Sequence, residues 1–324
     1  MLKPAHVLLT HKIPQKGLDI LKTRFELVYL DSDEPIIPQL HKVLPTVEYL
    51  VPLLSISVNE ELLSKGTKLK GIANYAVGYN NIDVSAAIKY NIQVTNTPDV
   101  LTNATADLVW ALILSVSRRI VESDQICRSN QFKGWLPEFM LGTELTGKIL
   151  GIIGMGRIGQ AVAKRALGFD MTVQYHGRSK KSLNDLENPK FIPDLDTLLK
   201  TSDIISLNIP YSENTHHLID EVELSIMKKS AFLINTARGR VVNERALIQA
   251  LKTGQIAGAG LDVFYDEPHI PEELSDLDNV VLTPHIGSAT VQTREAMAIM
   301  VAENIIAIED GEIPKNLIPE MRKK

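Results

Sequence analysis

Cysteine, basic charge and long apolar runs are all scarce in this chain of 324 residues. The single cysteine, Cys127, excludes an internal disulfide framework and a cysteine metal cluster, and it favours a reducing, cytoplasmic environment. Because 34 Lys and Arg face 39 Asp and Glu, the net charge is −5 and no basic field attracts nucleic acid or anionic membranes. The strongest apolar run, residues 108–114, is much shorter than the ~20 residues that span a bilayer. The N-terminal apolar stretch is also short and is broken by His6, His11 and Pro14, so we expect no export signal.

The composition is that of a folded chain, with 44% hydrophobic and 23% charged residues, and the length favours two domains. In the first hundred residues, short β-rich runs alternate with helix-like segments, as in HVLLT, LVYL, EYLVPLL and KGIAN. In one such segment Asn59 can cap a helix and Gly66 can end it. Pro98 and a candidate cap, Thr102, then precede a long apolar helix, so we place a domain boundary near residue 98.

Six further strand candidates follow residue 148, separated by helical stretches: KILGIIGMG, MTVQY, DIISLNIP, AFLINTA, AGAGLDVF and NVVLT. A long helix over residues 290–309 comes last and could return to the first domain. Such alternation predicts an α/β fold with two doubly wound, Rossmann-like domains and parallel sheets. Residues 1–98 with 288–324 would form one domain, and residues 99–287 the other.

A glycine motif predicts a dinucleotide site in the second domain. Gly154, Gly156 and Gly159 have G-x-G-x-x-G spacing between an apolar strand and an amphipathic helix. The first glycine suits a tight turn, the second lets the backbone approach a pyrophosphate, and the third lets the helix pack on the strand. The alternative reading is a turn that only permits tight packing.

The end of the next strand bears on which dinucleotide binds. NAD sites usually hold an acid there for the ribose hydroxyls, but residues 174–181 contain none. Gly177 is followed instead by Arg178, Ser179 and Lys180, which suit a 2′-phosphate. We therefore expect NADP(H) to be preferred. The alternative is that the loop is an ordinary solvated basic turn, and NAD(H) could then also be used.

Three segments that follow strand candidates contain an arginine, an acid and a histidine, namely Arg238, Glu267 and His285. Ligand sites of doubly wound sheets lie at the carboxyl ends of the strands, where these side chains could converge. A fixed cation and a proton donor are what the reduction of a carbonyl in a carboxylate substrate requires. Taken singly, each has a structural alternative: a turn arginine, a surface acid and an interior histidine.

At these residues, and along nearly the whole chain, the sequence resembles the D-isomer-specific 2-hydroxyacid dehydrogenase family. The matching segments occur in order: NYAVGYNNIDV (74–84), TPDVLTNATADLVWALIL (97–114), GKILGIIGMGRIG (147–159), LNIPYSENTHHLI (207–219), NTARGRVVNERALIQAL (235–251), GLDVFYDEP and TPHIGSAT. FKGWLPEFMLG (132–142) and YHGRSKK are similar to the glyoxylate and hydroxypyruvate reductase branch, which includes 2-ketogluconate reductases.

The resemblance implies a role for each member of the trio. Arg238 would bind the substrate carboxylate and polarise the adjacent carbonyl, and His285 would give a proton to the keto oxygen. Glu267 would orient the His285 imidazole and favour its charged form. The first domain would bind substrate, with the active site in the cleft between the domains.

The resemblance also assigns binding residues. The substrate set comprises Leu53, Val77, Gly78 and Trp135, with Trp135 acting in its own or a partner subunit's site. The cofactor set adds Thr105, Arg157, Ile158, Pro210, Thr236, Ala237, Asp262 and Gly287 to the glycine turn and the basic loop. Family members generally pair through the dinucleotide-binding domains, so a homodimer is expected.

Other functions stay open at this stage. 2-Ketogluconate or another D-2-hydroxy acid could be the substrate, and phosphite dehydrogenases and dinucleotide-sensing corepressors share the fold. A metal hydrolase is disfavoured because His216 and His217 are adjacent and have no helix-spaced partner. The physiological direction of the reaction also stays open.

Overall fold

The computed structural model describes residues 5–31, 33–183, 186 and 189–322. The chain divides into two compact units, Met1–Leu101 with Ser288–Lys324, and Thr102–Gly287. The first boundary falls where a helix begins, three residues beyond the position that the sequence predicted. Within the described ranges, no helix combines the length and apolar character needed to cross a membrane.

The first unit is built on a five-stranded sheet. Its elements are β1 (His6–Leu9), α1 (Gln15–Lys22), β2 (Glu26–Tyr29), α2 (Ile36–Val43), β3 (Tyr49–Val51), α3 (Glu60–Lys65), β4 (Gly71–Ala73), α4 (Val84–Lys89) and β5 (Gln93–Thr95). All strands pair in parallel in the order β2-β1-β3-β4-β5. Strands β3 and β4 are buried throughout, as expected for parallel strands covered on both faces. The expected caps of α3 are confirmed: the Asn59 side chain accepts the Leu62 N–H, and the helix ends at Gly66.

The second unit holds a larger sheet. Its elements are α5 (Thr102–Ser117), α6 (Ile120–Arg128), β6 (Ile149–Ile153), α7 (Arg157–Ala166), β7 (Thr172–His176), β8 (Lys190–Phe191), α8 (Leu195–Thr201), β9 (Ile204–Leu207), α9 (Glu221–Ile226), β10 (Phe232–Asn235), α10 (Glu244–Lys252), β11 (Gly258–Leu261), α11 (Glu272–Ser275) and β12 (Val280–Leu282). The strand order is β12-β11-β10-β9-β6-β7-β8, and every pairing is parallel. The predicted α/β fold with two parallel sheets is therefore confirmed.

Two strands were missed by the sequence prediction, β5 in the first unit and β8 in the second. Both lie at a sheet edge, and they are three and two residues long. Their sequences, QVT and KF, each include an exposed polar residue and lack the apolar run that marks the equally short and fully buried β3. The six strands that the sequence predicted in the second half are all present.

The final helix, α12 (Val291–Glu309), returns to the first unit, as the sequence suggested. It packs directly on α1, where a Cβ atom on Gly17 would lie 2.4 Å from the Ala298 carbonyl oxygen. A side chain at this position is therefore excluded by close approach of the two helices. Arg24 forms a two-pronged ion pair with Asp310 just beyond α12, which ties the end of the helix to the same unit.

Candidate active site

Most of the predicted site residues lie along one edge of the seven-stranded sheet. Parallel strands bring their carboxyl ends to the same edge, and ligands of such sheets bind there. The residues after each strand are Gly154, Gly156, Arg157, Ile158 and Gly159 after β6; Gly177, Arg178, Ser179 and Lys180 after β7; Pro210 after β9; Thr236, Ala237 and Arg238 after β10; Asp262 and Glu267 after β11; and His285 and Gly287 after β12.

The glycine turn has a different requirement at each of its three positions. Gly154 adopts φ +97°, and a Cβ there would lie 2.4 Å from the Asn208 carbonyl oxygen. A Cβ on Gly159 would lie 2.2 Å from the Gly154 carbonyl oxygen, so this glycine allows α7 to pack against the turn. A Cβ on Gly156, the N-cap residue of α7, would meet no atom within 4 Å. The open space above Gly156 at a helix N-terminus suits the pyrophosphate of a dinucleotide.

The strand order also favours a ligand at this turn. The chain runs outward from β6 through β7 to β8 and then crosses back to β9, so the order reverses between β6 and β9. Asn208 follows β9 at this point, and its side-chain Oδ1 is buried with no hydrogen-bond partner among the described residues. A dinucleotide group that donates a hydrogen bond would satisfy it. The residues at this edge therefore fit NAD(P).

The basic loop after β7 is fixed by a buried tyrosine. The Tyr175 hydroxyl, on β7, accepts a hydrogen bond of 2.9 Å from the Lys181 N–H. This contact closes residues 176–181 into a loop in which Arg178, Ser179 and Lys180 are exposed. A Cβ on Gly177 would meet nothing within 4 Å, so the start of the loop is also open to a ligand.

Arg238 is placed by two neighbours. The buried Asn235 side chain accepts the Ala237 N–H and donates to the Arg238 carbonyl, with both bonds 3.0 Å. A Cβ on Gly239 would lie 1.9 Å from the Phe264 carbonyl atoms, so the loop that carries Arg238 packs tightly on the loop before Glu267. Burial lowers the pKa of the Arg238 guanidinium and the Glu267 charge opposes this shift. An arginine nevertheless stays protonated at any physiological pH.

Glu267 and His285 are in direct side-chain contact. The His285 Nδ1 lies 2.7 Å from one Glu267 carboxylate oxygen, and the other oxygen accepts the Phe264 N–H. Burial works to raise the pKa of Glu267, but the hydrogen bond and charge of His285 and the Phe264 N–H outweigh it and lower that pKa. Each of the two side chains is 35% exposed, so the pair remains within reach of a ligand.

The His285 backbone has φ +53°, a left-handed conformation that is rare for residues other than glycine. Asp262, which is 1% exposed, holds the segment in this shape. One of its oxygens accepts the Ile286 N–H and the Thr283 hydroxyl, both at 2.7 Å, and the other accepts the Gly287 N–H at 2.8 Å. Burial raises the pKa of Asp262, and these hydrogen bonds oppose the shift. Asp262 thus organises the loop of His285, while a carboxylate has room for further donors.

The remaining predicted residues lie elsewhere. Thr105 is on α5, and its hydroxyl donates to the Gly287 carbonyl oxygen, so it contacts the same loop. Trp135 lies between α6 and β6 and is 82% exposed. Leu53, Val77 and Gly78 belong to the first unit and follow β3 and β4 at the carboxyl ends of those strands.

Sequence reasoning missed Asn208 and Asn235 as site residues, and it missed the contact of Thr283 with Asp262. Asn208 and Thr283 directly follow a strand and Asn235 is the last residue of β10, so both asparagines stand at the end of an apolar run. A polar amide at a buried strand end was the available signal, because such a group needs hydrogen-bond partners in the adjacent loops.

A glycine turn beginning a helix, beside a histidine–carboxylate pair and an arginine, defines a dinucleotide-dependent oxidoreductase. Residues 110–287 match the family model described as "D-isomer specific 2-hydroxyacid dehydrogenase, NAD binding domain". The chain belongs to the D-isomer-specific 2-hydroxyacid dehydrogenase family.

The relatives agree along the full length. The chain is 52% identical to the glyoxylate reductase of Thermococcus litoralis over 317 residues, covering 96% of each chain. It is 50% identical to the glyoxylate reductase of Pyrococcus horikoshii over 319 residues, covering 96% of this chain and 95% of the relative. A solved structure of the NADPH-dependent glyoxylate/hydroxypyruvate reductase of Sinorhizobium meliloti with NADP and malonate has a TM-score of 0.89, with 32% identity and 99% coverage of both chains.

The lowered pKa of Glu267 leads to a pH prediction. Because the lowered pKa of Glu267 keeps its carboxylate ionised beside His285, Glu267→Gln should move the loss of kcat/KM for keto-acid reduction with rising pH to lower pH. The pH–rate profile measures this shift. Glu244→Gln is the matched control, since Glu244 accepts the Tyr265 N–H in the same loop without contacting His285. An unmoved profile in Glu267→Gln, or an equal shift in the control, would contradict the pairing.

Proposed function

We propose that this protein reduces glyoxylate and hydroxypyruvate to the corresponding 2-hydroxy acids, of D configuration where C2 becomes chiral, with NADPH as the preferred cofactor. The observation that carries the proposal is the 2.7 Å pair of His285 and Glu267 on the sheet edge that also holds Arg238 and the glycine turn. The names of the relatives at about half identity support these two small keto acids as substrates.

The chain's own side chains divide the chemistry of reduction. Arg238 presents a planar, permanently charged guanidinium that can bind the substrate carboxylate and polarise the neighbouring carbonyl. Glu267 engages Nδ1 of His285, which leaves Nε2 to give a proton to the carbonyl oxygen as negative charge develops there. NADPH, when bound, supplies the hydride that C2 receives. In the reverse direction His285 takes the proton back.

We propose further contacts to the substrate and the cofactor from the family resemblance. The backbone of Val77 and Gly78 binds the substrate carboxylate, and Leu53 contacts the substrate. Asp262 accepts from the cofactor carboxamide in addition to its loop donors. Thr105, Arg157, Ile158, Pro210, Thr236, Ala237 and Gly287 contact the rest of the cofactor.

The preference for NADPH rests on the loop after β7. Arg178, Ser179 and Lys180 are exposed there, and no acidic side chain occurs between residues 174 and 181 to bind the ribose hydroxyls. A guanidinium and a hydroxyl favour a 2′-phosphate by charge-assisted hydrogen bonds, which are stronger than neutral ones.

A homodimer that pairs through the dinucleotide-binding units is part of the proposal. The second unit exposes several large apolar side chains between residues 120 and 141, the kind of surface that marks a protein–protein interface. They are Ile120, Val121, Phe132, Trp135, Leu136, Phe139 and Leu141. Covering them with a second copy would give the exposed Trp135 a partner surface, and Trp135 would then close the substrate pocket of its own or the partner chain.

The single exposed cysteine, Cys127, is in keeping with a cytoplasmic location.

His285→Ala tests the proposed reaction directly. Glyoxylate reduction should fall by about 10²- to 10⁴-fold, because the proton donor is lost, while the Kd for NADPH stays within about twofold. Arg238→Ala, measured beside it, should both raise the KM for glyoxylate and lower kcat, since anchoring and polarisation are lost together. Steady-state kinetics and a fluorescence titration of NADPH give these values. Normal turnover in His285→Ala would assign the acid to another residue.

Arg178→Ala tests the cofactor preference. We expect kcat/KM for NADPH to fall by about 10- to 100-fold, the value of a charge-assisted hydrogen bond, while kcat/KM for NADH changes little. Lys200→Ala is the control, because Lys200 is an exposed cation on α8 paired with Asp196. A wild-type protein that uses NADH better than NADPH would contradict the preference.

Light scattering tests the homodimer, with a mass of two chains expected for the wild type. Phe139→Asp should shift the mass to that of one chain, because it buries a charge in the proposed interface. Val222→Asp is the control, since Val222 is an exposed apolar residue on α9 of the same unit. A wild-type mass of one chain would reject the dimer.

A further inference from the structure

Three successive carbonyl groups of the loop after β4 are all hydrogen-bonded within the first unit. The Ala76 carbonyl accepts the Thr97 N–H at 2.9 Å, and the Val77 carbonyl accepts the Asn96 side-chain amide at 2.7 Å. The Gly78 carbonyl accepts the side-chain amide of Asn74 at 2.7 Å. Two of these three donors are asparagine side chains.

The direction of these carbonyls fixes the direction of the N–H groups. In a trans peptide the C=O of one residue and the N–H of the next point in opposite directions. Holding the carbonyls of Ala76 and Val77 therefore turns the N–H groups of Val77 and Gly78 to the other side of the loop. Among the described residues, neither N–H group donates a hydrogen bond. Two adjacent N–H groups facing one way form a site for an anion.

A pair of asparagines connects this loop to the one after β3. Asn74, which is fully buried, donates to Asn81 at 3.2 Å, and Asn81 donates back to the Asn74 side-chain oxygen at 3.1 Å. The Asn81 amide also donates to the backbone carbonyls of Leu53 and Ile56. The loops that carry Leu53 and Gly78 are thus held by one reciprocal amide pair.

A second set of amides reaches the same loop from the C-terminal region. The Asn316 side chain donates to the Asn304 side chain on α12 at 3.1 Å, and both are buried. Asn304 donates to the Asn96 carbonyl, and the Asn96 N–H donates to the Asn316 carbonyl. Asn96 is therefore fixed at its backbone while its side chain holds Val77.

We propose that Asn74, Asn81 and Asn96 are positioning residues that aim the N–H groups of Val77 and Gly78 at the carboxylate of the 2-keto acid. The inference rests on the proposed function, in which those two N–H groups bind the substrate. The asparagines act through the backbone and do not touch the substrate. They therefore affect substrate binding and leave cofactor binding and proton transfer unchanged.

Asn96→Ala is the informative variant, because Asn96 is only partly buried and its backbone hydrogen bonds survive the change. We expect the KM for glyoxylate to rise about five- to tenfold, with kcat and the KM for NADPH each within about twofold, since one hydrogen bond that orients the binding groups is lost. Asn81→Ala, which removes the hydrogen bonds to the loop of Leu53, should also raise the KM for glyoxylate.

Asn279→Ala is the matched control, because the Asn279 amide also donates to two backbone carbonyls, those of Leu251 and Ala257, but lies in the second unit. It should lower the melting temperature and leave the glyoxylate KM unchanged. An unchanged glyoxylate KM in Asn96→Ala overturns the inference. So does an equal rise in the control, or a parallel rise in the KM for NADPH, because each would indicate general loosening of the fold.

Failure of the proposed substrate is distinguished within the same experiment. If the wild type reduces a larger 2-keto acid better than glyoxylate, the choice of glyoxylate is wrong. The variants are then compared on that acid, because every 2-keto acid presents the same carboxylate. The ratio of the variant's KM to the wild-type KM for that acid then decides the inference.

Discussion

In the second unit, three hydrogen-bond donors from the segment after β12 converge on one buried carboxylate, that of Asp262. Without it, two backbone N–H groups and a hydroxyl would be left without their partner in the interior, which is costly. The same carboxylate compensates the left-handed backbone of His285, a conformation that persists only where its surroundings impose it. Because the imidazole is thereby directed, Glu267 can meet Nδ1 at 2.7 Å.

The loops that carry Arg238 and Glu267 are coupled by close packing. Gly239 contacts the carbonyl of Phe264 so closely that no Cβ fits, and Phe264 in turn gives its N–H to Glu267. Arg238 and Glu267 therefore cannot move independently. A displacement of either loop is transmitted to the other, which keeps the charges of Arg238 and Glu267 in a fixed arrangement.

Much of the fold and of the candidate site could be predicted from the sequence, and the parts that could not be predicted have physical reasons. The turn at Gly154 has a local signature, and parallel strands dictate that residues after strands meet at one edge, so Arg238 and His285 could be placed at the same edge from the sequence alone. The contacts by which Asp262 organises the loop could not be predicted, because they depend on the backbone conformation of residues 283–287. The strand β8 was missed because two residues carry no readable periodicity.

The asparagine network of the first unit has a consequence for how acidity acts on the protein. Side-chain amides and peptide N–H groups have no proton that is gained or lost across the range in which histidines and carboxyl groups titrate. The amide hydrogen bonds that hold the loop of Val77 and Gly78 are therefore independent of pH, whereas the contact of His285 with Glu267 involves groups that titrate. Under the proposed function, recognition of an anion and delivery of a proton fall to groups of different chemistry, so that a change in pH alters the second and leaves the first in place.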